Sequence, residues 1–163
     1  MNSESFPLVE ELYRLLKNEG LHITTAESCT GGRLSAAIVD FPGASDILNQ
    51  ALVTYSNEAK TRLLGVCRST LERYGAVSEQ TAAEMALGAA RSADSEVALS
   101  TTGIAGPAGG TEDKPVGLVY IGCYCRGRVV ARRFVFEGNR DEVRDQAVGQ
   151  ALTLALDCLR GAE

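Results

Sequence analysis

A hydroxyl nucleophile lies where the chain is predicted to pass from a strand into a helix, in the segment TAESCTGG (residues 25–32). An apolar run at residues 21–25 precedes this elbow, and a helical stripe follows it, formed by Leu34, Ala37, Ile38 and Phe41. The first N–H groups of that helix are expected to be free and to favour negative charge in front of Ser28. The pattern predicts either a catalytic serine facing an oxyanion or phosphate, or only a helix cap with a glycine turn.

A serine nucleophile needs a base, and Lys60 is the leading candidate. The only histidine, His22, lies at the start of the strand that leads to the elbow, so a Ser-His-Asp triad is not expected. Lys60 lies in the first turn of a helix after the apolar run 51–55, where the helix dipole disfavours a cation, although a solvated surface lysine is the alternative. To act near pH 7 its pKa must fall by about 3 units from ~10.4, or roughly 4 kcal/mol, which burial can supply.

Two further residues have alternative interpretations. Tyr55, at the end of the run 51–55, could relay the proton or orient the Ser28–Lys60 pair, or could simply pack at the strand end. Cys29 is the rival nucleophile, because a helix N-terminus can lower the pKa of a thiol.

A glycine-rich loop, residues 102–110, follows a third predicted strand at 97–101. Backbone N–H groups in such a loop can approach a ligand closely, although a flexible surface connection is the alternative. The loop lacks the Gly-Lys-Ser/Thr ending of a P-loop, and no G-x-G-x-x-G sequence opens a helix there. The predicted substrate-contacting residues are Thr30, Gly31 and Gly32 at the elbow, Thr102, Gly103 and Gly106 in the loop, and Arg140 at the start of the last helix.

The order of elements predicts the α/β class, specifically a three-layer α/β/α sandwich with a mixed sheet. Predicted helices at about 7–17 and 79–93 alternate with strands, and a hairpin at 116–136 precedes a final helix capped by Asn139. Ligands gather at the carboxyl ends of strands in such folds. If the first three strands are parallel, the elbow, Lys60 and the glycine-rich loop meet at one edge of the sheet.

Composition narrows the function classes. With 45% apolar and 23% charged residues, a chain of 163 residues can form one globular domain, and no stretch is apolar enough to span a bilayer. A net charge of −5 argues against general nucleic-acid binding. No secretory signal is visible, so a cytoplasmic protein with reduced cysteines is expected. Cys123 and Cys125 are expected to face one side of a strand, but no zinc-ligand spacing accompanies them, so no metal or other cofactor is predicted.

Five segments of the chain, in order, resemble the CinA C-terminal domain family. They are AESCTGG (26–32), VTYSNEAK (53–60), GAVS (75–78), TGIAGP (102–107) and KPVG (114–117). The resemblance covers nearly the whole chain and implies one domain at residues 1–163. Larger family members carry an additional N-terminal domain, which a chain of this length is too short to contain.

The resemblance implies hydrolysis of the carboxamide of nicotinamide mononucleotide to nicotinate mononucleotide and ammonia. In that interpretation Ser28 is the nucleophile, Tyr55 and Lys60 assist it, and no metal is required. The implied partner is this small-molecule nucleotide, with no nucleic acid and no membrane, and family members commonly self-associate. The alternatives are a non-catalytic nucleotide-binding or regulatory module and an amidase for another small amide.

Overall fold

The computed structural model describes residues 5–162, which form a five-stranded mixed sheet in the order β2-β1-β3-β4-β5. The elements in chain order are α1 (Ser5–Glu19), β1 (Ile23–Glu27), α2 (Arg33–Val39), one 3₁₀ turn (Ala44–Asp46), β2 (Leu48–Val53), α3 (Asn57–Leu64), α4 (Arg68–Tyr74), α5 (Glu79–Ala93), β3 (Val97–Gly103), β4 (Leu118–Cys125), β5 (Arg128–Val135) and α6 (Arg140–Leu159).

Helices cover both faces of this sheet, which confirms the predicted three-layer α/β/α sandwich. Helices α1, α2 and α6 pack together on one face, where Leu12, Ile38 and Leu152 are fully buried. Helix α5 covers the other face with α3 and α4 beside it, and its inner side chains, Met85 and Ala89, are also fully buried. Burial of these apolar side chains from water stabilises the sandwich.

The topology brings three strand ends to one edge of the sheet, as predicted. Strand β1 pairs in parallel with both β2 and β3, whereas β4 runs antiparallel to β3 and to β5. The carboxyl ends of β1, β2 and β3 therefore lie side by side. The chain continues from them to Ser28, to Tyr55 and Lys60, and to the glycine-rich loop.

Several predicted boundaries are shifted, and the clearest correction concerns β2. Residues 51–55 are predicted as a buried strand, but β2 spans Leu48–Val53 and alternates between half-buried and exposed side chains. Gln50 belongs to it because parallel pairing with β1 uses the backbone and tolerates polar side chains, and Asn49 lies at an irregularity of that pairing between Leu48 and Gln50. As an edge strand, β2 has a neighbour on one side only, which leaves alternate side chains accessible. Strand β1 likewise begins and ends two residues later than predicted.

Candidate active site

The elbow after β1 depends on two consecutive glycines. Gly31 has a φ of 57° and Gly32 a φ of 99°, a region that residues with a Cβ rarely adopt. Between the strand and this turn, the Ser28 N–H donates to the Thr101 carbonyl at 2.9 Å and extends the pairing of β1 with β3. Ser28 is therefore held at the edge of the sheet, half-buried, where its hydroxyl can meet a ligand.

Glu27, the last residue of β1, caps helix α2 from inside the protein. Its carboxylate is fully buried and accepts hydrogen bonds from the N–H groups of Gly32, Leu34 and Ser35 at 2.8–3.0 Å. The Thr30 hydroxyl donates a further bond at 2.6 Å. No basic side chain within residues 5–162 forms an ion pair with Glu27. These hydrogen-bond donors and the positive end of the helix dipole stabilise the buried carboxylate instead.

The prediction that free N–H groups of this helix point at a ligand is therefore wrong. The Gly31 N–H donates to the Ser28 carbonyl, and the Gly32 N–H donates to Glu27. The Thr30 side chain is fully buried between Glu27 and Thr101. In the structure these three predicted substrate contacts support the elbow, because the anion at the helix start belongs to the chain itself.

Replacement of Glu27 by alanine is expected to lower the free energy of unfolding by about 3 kcal/mol, because four donors lose a charged acceptor at a buried site. Urea denaturation measures the change. The matched control is Glu79→Ala, which removes an exposed acidic residue from the first turn of α5 and is expected to cost less than about 0.5 kcal/mol. Equal losses in the two variants would show that the elbow does not depend on Glu27.

Lys60 meets Ser28 across the edge of the sheet. The Lys60 Nζ atom lies 3.1 Å from Ser28 Oγ and donates a second hydrogen bond to the Thr54 carbonyl at 2.8 Å. Ser56 caps α3 through the Ala59 N–H, and this cap places Lys60 in the first turn of the helix. The strand-end turn and the cap together aim the lysine back at the neighbouring strand.

Burial changes the chemistry of this lysine. Its side chain is 1% exposed, and no carboxylate within residues 5–162 forms an ion pair with it. Burial lowers the pKa of Lys60 because it penalises the charged form, whereas the nearby Cys29 opposes this shift. The predicted depression of the pKa by burial thus agrees in direction with the structure.

The rival nucleophile, Cys29, is poorly suited to that role. The residue is 6% exposed, and burial raises the pKa of its thiol to about 11. The thiolate is the reactive form of cysteine, and very little of it exists near pH 7 at such a pKa. Of the two neighbouring side chains, Ser28 is the one with a base in contact.

A cavity of about 290 Å³ opens in front of Ser28 and Lys60. It is lined by Ser28, Cys29, Tyr55, Lys60, Ala76, Val77, Thr102, Gly103, Ile104, Ala105, Gly106, Ala108, Gly109 and Arg140. Arg140 and the buried Lys60 are its basic lining residues, and the lining includes no aspartate or glutamate. A chain of net negative charge thus presents a locally cationic pocket suited to a small anion.

Tyr55 and Arg140 form one wall of this cavity. The Arg140 guanidinium donates to the Gly106 carbonyl at 2.8 Å and approaches the Tyr55 hydroxyl at 3.4 Å. Tyr55 is 65% exposed, and no hydrogen bond joins its hydroxyl to Ser28 or Lys60 in the described chain. The predicted relay through Tyr55 therefore has no hydrogen bond to carry it in this structure.

The glycine-rich loop supplies the remaining wall. Gly103 and Gly106 both line the cavity, but packing also requires them, since a Cβ would meet the Leu118 carbonyl at 2.6 Å or the Val116 side chain at 2.4 Å. The Thr102 hydroxyl donates to the Ala76 carbonyl. The N–H groups of Ala105 and Gly106, two residues that line the cavity, donate to no acceptor within residues 5–162.

Arg144 is a residue of the site that the sequence analysis missed. It lies one helical turn after Arg140 on α6 and donates to the carbonyls of Cys29 and Thr30 at 3.0 and 2.9 Å. It therefore ties α6 to the elbow immediately after Ser28. The spacing of four residues between the two arginines places them on one helix face and is the signal that could have indicated this role.

Two negative findings concern residues 5–162. None of their helices combines the length and the apolar character needed to cross a bilayer. None of their histidine, cysteine, aspartate and glutamate side chains form a group of three or more that could hold a metal ion.

The fold and the site together define an α/β/α domain with a serine and a buried lysine in contact at the edge of its sheet. The family model described as "CinA C-terminal domain" matches residues 5–159. The chain belongs to the CinA C-terminal domain family.

Relatives and solved structures agree with this assignment. A CinA-like protein of Kosmotoga olearia is 48% identical over 155 residues, which are 95% of this chain and 37% of that protein. The crystal structure of competence/damage inducible protein CihA from Agrobacterium tumefaciens is similar with a TM-score of 0.94 at 38% identity, covering 98% of both chains. A CinA superfamily protein of Escherichia coli has a TM-score of 0.92 at 36% identity, covering 97% of this chain and 92% of that one.

The curated relatives are longer than this chain. A Clostridium beijerinckii relative is 49% identical over 158 residues, yet the match spans 38% of its length. The chain thus corresponds to a little over a third of such proteins.

Proposed function

We propose that this domain hydrolyses the carboxamide of nicotinamide mononucleotide and releases ammonia and nicotinate mononucleotide. The observation that carries the proposal is the 3.1 Å contact between Ser28 Oγ and a buried Lys60 amine. A nucleophile and a base within hydrogen-bond reach are the minimum for acyl transfer without a metal. The sequence resemblance described above supplies the substrate, and the cationic cavity is consistent with its phosphate.

In the proposed reaction neutral Lys60 accepts the Ser28 proton while Oγ attacks the carboxamide carbon. The Thr54 carbonyl holds one Lys60 N–H, which orients the amine toward Ser28. Lys60 then gives the proton to the departing nitrogen, so that ammonia leaves and an ester to Ser28 remains. Water attacks this ester with Lys60 again as the base, and Ser28 recovers its proton.

The oxyanion formed on the substrate needs hydrogen-bond donors, and the glycine-rich loop is the better source. The N–H groups of Gly31 and Gly32 are already used within the elbow. Those of Ala105 and Gly106 belong to residues that line the cavity and have no acceptor in the described chain. One such donor typically contributes roughly 10²–10³-fold to the rate.

Arg140 is the proposed partner of the substrate phosphate. Arg140→Gln is expected to raise KM roughly tenfold with little change in kcat, because the variant loses a charged hydrogen bond to a group that does not react. The comparison substrate is the corresponding nucleoside, which lacks the phosphate. Its KM is expected to be the same in Arg140→Gln as in the wild type. Arg91→Gln, an exposed arginine in the last turn of α5, is the matched control. A tenfold loss with the nucleoside as well would remove phosphate recognition from Arg140.

The activity itself is tested by incubating purified protein with nicotinamide mononucleotide and measuring ammonia and nicotinate mononucleotide. Ligand-induced thermal stabilisation without ammonia release, unaffected by Ser28→Ala, would favour the non-catalytic nucleotide-binding module. Faster ammonia release from another amide in a substrate panel would favour a different amidase. Denatured-protein mass spectrometry on brief reaction mixtures can detect the ester at Ser28.

A further inference from the structure

Two cysteines of β4 and one of α6 meet at the opposite edge of the sheet from the candidate active site. Cys123 and Cys125 lie on the same face of β4, and Cys158 lies on α6, which packs on that face. With Arg128 and Val130 of β5 they surround a cavity of about 20 Å³. A space of this size holds about one water-sized molecule.

This cluster is separate from the site around Ser28. Cys125 pairs with Val97 at the start of β3, whereas the candidate active site lies beyond the end of that strand. Along α6, Cys158 is 18 residues from Arg140, or about 27 Å at 1.5 Å per residue. The cluster therefore has no part in the proposed amide hydrolysis, and an inference about it does not rest on that function.

The three thiols differ in their surroundings. Cys123 is fully buried and Cys125 is 8% exposed, whereas Cys158 is half-buried and thus the most accessible of the three. The interaction with the Cys123 thiol lowers the pKa of Cys158, and the charges of Arg132 and Arg128 lower it further, against opposing effects of burial and Asp157. The same interaction and burial raise the pKa of Cys123. The pKa shifts of the two thiols therefore have opposite directions, and the more accessible thiol, Cys158, is the one whose pKa is lowered.

We propose that Cys158 is a peroxide-sensitive thiol and that Cys123 is the partner with which it forms a disulfide after oxidation. A thiolate that is partly accessible and close to cationic side chains is the typical form of a reactive cysteine, and a neighbouring thiol can resolve its sulfenic acid. Metal binding does not explain the cluster, because these three thiols form no group that could hold a metal ion.

The proposed chemistry has two balanced steps with hydrogen peroxide as the oxidant. The Cys158 thiolate attacks one peroxide oxygen, the O–O bond breaks and hydroxide leaves, so the sulfur is oxidised to a sulfenic acid while peroxide is reduced. The Cys123 sulfur then attacks the sulfenic sulfur, the S–O bond breaks, and the hydroxyl group leaves with the Cys123 proton as water. The product is a disulfide between β4 and α6.

The test treats the reduced full-length chain with hydrogen peroxide and maps the products by peptide mass spectrometry. The expected product is a Cys123–Cys158 disulfide. In Cys123→Ser, a dimedone adduct that reports sulfenic acid is expected to accumulate on Cys158 at least roughly threefold above the wild-type level. Cys67, which is exposed, serves as an internal control and is expected to react more slowly than Cys158.

A charge variant separates thiolate stabilisation from accessibility. Arg128→Gln is expected to slow oxidation of Cys158 by roughly threefold, since it removes a nearby positive charge. Arg133→Gln is the matched control, because odd and even positions of β5 face opposite sides of the sheet. Preferential oxidation of Cys67, a disulfide that omits Cys158, or absence of oxidation at Cys158 would each overturn the proposal. The wild-type result decides even if a cysteine variant fails to fold.

Discussion

Replacement of Ser28 by alanine is expected to lower kcat for amide hydrolysis by at least roughly 10⁴-fold, since the atom that attacks the carboxamide is lost. The fold should persist, because within residues 5–162 the half-buried side chain of Ser28 hydrogen-bonds only to Lys60 and caps no helix. Ammonia release at saturating nicotinamide mononucleotide measures the effect, and the circular dichroism melting curve checks the fold. KM should change little, because Ser28 contributes the reacting atom and is not a proposed phosphate contact.

The matched control for this variant is Ser35→Ala in the first turn of α2, next to the elbow. The Ser35 hydroxyl donates to the Gly32 carbonyl and does not line the cavity. This variant therefore perturbs the turn and leaves the nucleophile in place, and its kcat is expected to stay within a few-fold of the wild type. Near-normal ammonia release from Ser28→Ala would refute the assignment of Ser28 as nucleophile and would return attention to Cys29.

Replacement of Lys60 by methionine is expected to lower kcat by roughly 10³–10⁴-fold, because the base is removed while most of the buried volume is retained. Lys60→Arg should be as inactive, since a guanidinium keeps the charge but does not give up its proton near neutral pH. Arg62→Met, an exposed position of the same helix, is the control. Combining Ser28→Ala with Lys60→Met should cost little more than Ser28→Ala alone, because the two residues act as one unit.

The pH profile tests the same assignment independently. A base must be neutral to act, so kcat is expected to rise with pH as Lys60 loses its proton. Burial lowers the pKa of Lys60, so the midpoint of this rise should lie below the ~10.4 of a solvated lysine. The residual rate of Lys60→Met should lack this dependence. A midpoint at or above 10.4, or an unchanged profile in the variant, would exclude Lys60 as the base.

The lowered pKa of Lys60 also makes the free energy of unfolding depend on pH. The pKa of Lys60 is lower in the folded state than in the unfolded state. At pH values between this lowered pKa and ~10.4, the unfolded chain therefore binds more protons than the folded chain. The contribution of Lys60 to stability therefore becomes more favourable as pH rises through that window. The fold tolerates this unfavourable burial at neutral pH, as is common where a residue serves a reaction.

Local signals in the sequence were sufficient for much of the fold. Ser56 caps α3, Ser78 caps α5, and Asn139, the predicted cap of the last helix, forms a capping box with Glu142 at α6. These features depend on residues three or four positions apart and are therefore readable from the chain alone. The three-layer architecture followed from the alternation of elements, and the Ser28–Lys60 pairing was expected because parallel strands bring their carboxyl ends together.

The ends of the elements, and contacts between residues far apart in the sequence, were harder to predict from local sequence patterns. The strand β2 was placed too late because it includes Asn49 and Gln50, whose polarity does not indicate a strand. Arg144 was overlooked because its contact with the elbow spans 114 and 115 residues of sequence. The helical period places Arg144 on the same face as Arg140, but it does not show which residues that face contacts.

By itself, the sequence determined the family, the order of the elements and the candidate nucleophile and base, since each depends on local residue patterns. Only the tertiary structure decided how the groups of the elbow are used. The Glu27 carboxylate accepts hydrogen bonds from the N–H groups of α2 that were expected to bind a ligand. The proposed oxyanion contacts are therefore assigned to the loop after β3. The physical reason is that hydrogen bonds and burial depend on which groups meet in space. At the start of α2 the free N–H groups donate to the Glu27 carboxylate of the same chain.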